Sequence, residues 1–122
     1  MSISGLSLGG PDGVDAALHA ALDGIAMRQR VIADNIANVD TPGFRATSVD
    51  FESSLRAAIA SGDPSAVDIE TLPTGTPVGP NDNNVDLRKE TLAAVQSQFQ
   101  YQMISRAASE RFDLLRTVAG GQ

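Results

Sequence analysis

His19 is the only histidine in 122 residues, and cysteine is absent. A zinc site needs several His, Cys or carboxylate ligands at close spacing, and one imidazole on an alanine-rich stretch does not supply them. A Ser/His/Asp relay would have to be built on that same histidine, with no partner pattern around it. Asp82-Asn83-Asn84-Val85-Asp86 sets oxygen-bearing side chains at alternate positions, as a calcium loop does. Where such a loop turns on glycine this chain has Leu87, and where it closes on glutamate this chain has Ala93. The run therefore reads as the approach to a helix. Lys89 is the only lysine and follows no glycine-rich phosphate loop. Without cysteine there is neither thiolate chemistry nor a disulfide framework. The residues predict no catalysis, no cofactor and no metal.

Charge and composition point to a binding role instead. Between residues 46 and 86 stand Asp50, Glu52, Asp63, Asp68, Glu70, Asp82 and Asp86 against Arg56 alone, and the chain as a whole carries a formal charge of −6. An acidic middle argues against nucleic acid, which wants a basic stripe. Four Phe, one Tyr and no Trp, with alanine making up much of the apolar fraction, leave little for a self-sufficient core. No apolar run nears the roughly 20 residues of a membrane span. Residues 1–10 lack the basic and hydrophobic regions of a Sec signal, so any export is expected to take another route.

The elements follow from punctuation and period. Residues 1–12 are Ser/Gly-rich and predict a disordered start, with Asp12 available to cap the first helix. Residues 13–40 predict that N-terminal helix. Its seam of Leu18, Leu22, Ile25, Gln29, Ile32, Ile36 and Val39 steps alternately by four and three, the heptad spacing of a coiled coil or bundle. Gln29 either fixes register or lies at a solvated edge. Gly24 costs about 1 kcal/mol against alanine, so it needs a packing reason or marks a soft point. Pro42 disfavours the α conformation at Thr41 and ends the helix by Asp40, Asn35 and Asn38 suit a terminus, and Pro42-Gly43 fits the centre of a type II turn. Beyond it, residues 44–60 read as extended and then helical, with Phe51, Leu55 and Ile59 at four-residue steps. Residues 61–84, rich in Pro and Gly, predict a flexible loop. Residues 85–119 predict the C-terminal helix. Leu92, Val95 and Phe99 begin one stripe there, and Tyr101, Ile104, Ala108, Phe112, Leu115 and Ala119 continue on a rotated face, which suggests more than one neighbour. The expected fold is a single all-α domain: two long amphipathic helices in a helical hairpin or coiled-coil-like bundle, joined by the turn, a short helix and a flexible acidic loop over 41–84.

Three stretches carry a resemblance. Arg28–Phe44 contains Ala37-Asn38-Val39-Asp40-Thr41-Pro42-Gly43-Phe44, similar to the Ala-Asn-x-x-Thr-Pro-Gly-aromatic signature of flagellar rod and hook proteins. Arg45 to Phe51 continues it. Asn84-Val85-Asp86-Leu87 with Glu90 leads into a helix holding Tyr101-Gln102 and Leu114-Leu115-Arg116-Thr117. The chain thus resembles the axial proteins of the bacterial flagellum, most closely the proximal rod proteins of the FlgB type. The resemblance implies a structural subunit of the basal-body rod, with no enzymatic activity. It implies export through the flagellar type III apparatus, a place in the periplasmic rod, and polymerisation through the terminal helices. The implied partners are other copies, other rod proteins, and the adaptor joining rod to export gate. The sister proximal rod protein FlgC, or a soluble helical adaptor or export chaperone, are the alternatives. A chaperone would need neither the Thr41-Pro42-Gly43 turn nor the long loop. The residues expected to govern assembly are Asn38, Thr41, Pro42, Gly43 and Phe44 at the junction, with the stripes of the two long helices.

Overall fold

The computed structural model describes residues 11–120. The predicted disordered start therefore lies outside the described residues, except that Pro11 and Asp12 are helical. Side-chain capping by Asp12 also falls outside the described residues' contacts. In order, the chain forms α1 (Pro11–Ala37), β1 (Thr47–Asp50), α2 (Glu52–Ala60), a 3-10 turn at Pro64–Ala66, β2 (Glu70–Pro73), a 3-10 turn at Pro80–Asp82, and α3 (Leu87–Gly120). At ~1.5 Å per residue, the 34 residues of α3 run on the order of 50 Å.

The two long helices lie antiparallel. Asp15 meets Arg111 near one end, Arg28 meets Gln100 further along, and Asn35 meets Glu90 at the other. On α1 the inward side is Ala21, Ile25, Ile32 and Asn35, each at least nine-tenths buried. On α3 it is Glu90, Ser97, Ile104, Ala108 and Leu115, a set dominated in its first half by small and polar residues. Small residues let the two backbones approach closely.

The middle of the chain corrects the expectation of an all-α fold. β1 and β2 form a two-stranded antiparallel sheet that pairs Thr47 with Pro73, Ser48 with Leu72, Val49 with Thr71, and Asp50 with Glu70. Part of the stretch read as loop is thus a strand. The strands escape a periodicity reading for a physical reason: each is four residues long, β1 buries Val49 alone, and all four residues of β2 are exposed.

The core sits where the sheet and α2 meet α1. Ala21, Ile25, Val49 and Phe51 form its buried centre, with Met27, Val31, Leu55, Ile69 and Ile104 packed around them. Gly24 has the packing reason its position asks for. A Cβ built there would stand 2.3 Å from Cγ of Phe51, so the ring lies directly on the helix backbone.

Candidate functional site

The junction after α1 is built from local capping. α1 ends at Ala37, and the Asn38 amide closes its last turn by donating to the carbonyls of Asp34 and Asn35 at 3.1 Å each. The Asn38 side chain donates to the Asp34 carbonyl at 2.8 Å, and its Oδ1 accepts the Thr41 hydroxyl at 2.9 Å. The Phe44 amide donates to the Thr41 carbonyl at 3.2 Å with Gly43 at φ +76°, which is the type II geometry that Pro42-Gly43 predicts. Thr41, Pro42 and Gly43 are exposed, and Phe44 is half-buried.

A polar clamp from residues 81–84, just before α3, grips this turn. Asn83 Nδ2 donates to the carbonyls of Asn38 and Thr41 at 2.9 and 2.8 Å. Its Oδ1 accepts the Val85 amide at 2.8 Å. The Gly43 amide donates to the Asn81 carbonyl at 2.9 Å. Asn84 Oδ1 accepts the Ala46 amide at 2.6 Å while its Nδ2 donates to the Thr76 carbonyl at 3.2 Å. Arg45 pairs with the Asp82 carboxylate at 2.6 Å and also donates to the Asp82 carbonyl. Asn81 and Asp82 reach this arrangement at φ 62° and 58°, a left-handed pair that short polar side chains tolerate.

Two further side chains tie the helices to the sheet. Asn35, 1% exposed, donates to the Thr47 carbonyl at 2.7 Å and to Glu90 Oε1 at 3.0 Å, and accepts the Thr47 amide at 3.3 Å. It does not terminate α1 but pins β1 and the start of α3 to it. Arg28 forks onto Glu52 at 2.6 and 2.7 Å, donates to the Val49 carbonyl at 2.6 Å and to Gln100 at 3.0 Å, and stacks 4.8 Å from the Phe51 ring centroid. The hydrogen bonds from Arg28 hold the Glu52 carboxyl below its usual range, against a partial burial that would raise it.

The stripes predicted from period divide between inside and outside. Ile25 and Ile32 are buried; Leu18, Leu22, Gln29, Ile36 and Val39 are half-buried. On α3, Ile104 and Leu115 are half-buried toward α1, whereas Leu92, Val95, Phe99, Tyr101 and Phe112 are exposed. Leu18, Leu22, Ala108, Phe112 and Leu115 share one shallow depression between the helices. His19 is exposed. Among the described residues, no three His, Cys, Asp or Glu side chains group as a metal site. The arrangement presents surfaces and fixes angles. Sequence reasoning missed Arg28, Asn35, Asn83 and Glu90 as structural ties. The available signal was position: Asn35 follows Ile32 by three on the buried side of α1, where a polar residue must find a partner.

Residues 21–45, which span the second half of α1 and the turn, match the family model described as flagella basal body rod protein. The flagellar basal body rod protein FlgB of Borreliella burgdorferi is 30% identical over 122 aligned residues, covering 82% of this chain and 90% of that protein. FlgB of Bacillus subtilis is 32% identical, covering 85% of this chain and 91% of its own. FlgB of Escherichia coli K12 is 32% identical, with 80% and 88% covered.

Proposed function

We infer the function from a plain premise: the chain belongs to the FlgB family of flagellar basal body rod proteins. It is a structural component of the flagellar basal body, not an enzyme. Beyond that, we propose that it occupies the proximal rod and polymerises through α1 and α3. Its contacts there are other copies of itself and other rod proteins, and at the base the adaptor that joins the rod to the export gate. On the same reading the subunit reaches that place through the flagellar type III apparatus.

The observation that supports polymerisation is the second face of α3. Leu92, Val95, Phe99 and Met103 are between 52 and 68% exposed, on a helix that already uses another face against α1. Contiguous apolar surface of this kind marks an interaction site. The junction supplies the other requirement of a polymer, a fixed angle between the long helices and the sheet. The test is deletion of the gene followed by imaging of basal bodies. Rods are expected to be missing and swimming lost, with both restored by the intact gene. Intact rods in the deletion strain would overturn the reading.

A further inference from the structure

The exposed face of α3 narrows to a shallow groove lined by Phe99, Gln102, Met103 and Arg106. Arg106 is the sole formal charge between Thr91 and Ser109, is exposed, and makes no ion pair among the described residues. The groove thus offers two apolar walls and one unspent cation.

The sheet offers the complement. Opposite residues of an antiparallel pair point to the same side. Val49 and its partner Thr71 face one way, with Val49 buried at 5% exposure. Ser48, Leu72, Asp50 and Glu70 therefore share the outward side. Leu72 is 43% exposed there. Like charges directly opposite each other destabilise a strand pair, and neither Asp50 nor Glu70 has an ion-pair partner among the described residues. A cation from outside would relieve that repulsion.

We propose that the outward face of the β1–β2 sheet of one copy docks into the Phe99–Arg106 groove of a second copy. Leu72 seats between Phe99 and Met103, and Arg106 bridges Asp50 and Glu70. Glu70 and Leu72 lie ~6.6 Å apart along the strand, while Met103 and Arg106 lie ~4.5 Å apart along the helix, a difference the arginine side chain spans. The two patches differ, so the contact is heterologous, and repetition without closure yields a helical array. The inference rests on the rod-subunit reading and names the surfaces by which copies meet.

The chain has no cysteine of its own, which makes the test specific. Two single variants, Leu72→Cys and Met103→Cys, are expressed together in flagellated cells lacking the native gene, and purified basal bodies are oxidised. A disulfide-linked dimer of one variant with the other is expected, and it should be absent when either is expressed alone. Swimming cells with intact rods but no mixed dimer, or with links only between like variants, overturn the docking and leave the rod assignment standing. Charge exchange gives a second measure that does not depend on cysteine. Arg106→Glu should lose swimming, and combining it with Glu70→Arg in the same chain should restore it. Retained swimming in the single variant, or no recovery in the pair, overturns the proposal.

Discussion

Gly24 and Glu52 carry the sharpest consequences at the scale of single residues. Alanine is the better helix former by about 1 kcal/mol, so Gly24→Ala would stabilise α1 if nothing touched it. The Phe51 ring occupies that space. Gly24→Ala is expected instead to destabilise by about 1–3 kcal/mol in urea unfolding, the cost of overpacking. In a Phe51→Ala background the same change should be neutral or stabilising, and this sign reversal identifies the contact. Glu52 sets an acid-side dependence. Its carboxyl is held below the reference value of 4.5 by Arg28. The stabilisation is therefore complete above the unfolded-state value and is lost as pH falls through the lower folded-state value. A pH series of thermal midpoints should fall on the acid side, and Glu52→Gln should flatten that fall while lowering the midpoint at neutral pH.

At the scale of elements, Asn35 joins three of them. Asn35→Ala leaves Thr47 and Glu90 without their buried partner and should cost about 1–3 kcal/mol. Hydrogen exchange at the Thr47 amide should quicken. Asn35→Asp should cost more at neutral pH, because it sets a second carboxylate against Glu90 and removes the donor to the Thr47 carbonyl, and it should recover partly in acid. These ties also separate what is legible in the sequence from what is not. Both long helices and the Pro42-Gly43 turn follow from seam spacing and proline sterics, which act locally. The inward places of Ile25 and Ile32 follow the same way. The sheet does not, because one buried valine in four residues makes no pattern. Asn35 reads as a terminator in the sequence because its partner Glu90 lies 55 positions away. On α3 hydrophobicity points away from the α1 contact: the inward side of its first half is Glu90, Ala93, Ala94 and Ser97, and the apolar Leu92, Val95 and Phe99 face outward.

For the whole molecule, the division of α3 into two faces separates stability from assembly. Phe99→Asp removes nothing from the interior, so the purified chain should keep its unfolding free energy within about 0.5 kcal/mol. Rod assembly and swimming should nonetheless be lost, and a folded variant that still builds rods would count against the outer face as a contact. The polar clamp has a consequence of another kind, one of order in time. Asn83 and Asn84 hold the turn, Glu90 holds Asn35, and Gln100 holds Arg28 across 72 positions. Doubling a loop costs only ~0.6 kcal/mol, so this separation weakens the finished fold little. It does govern when the fold can lock. A chain delivered N-terminus first brings α1 and the turn long before their clasps arrive. Until Asn83, Glu90 and Gln100 follow, the turn, Asn35 and Arg28 stand without these partners.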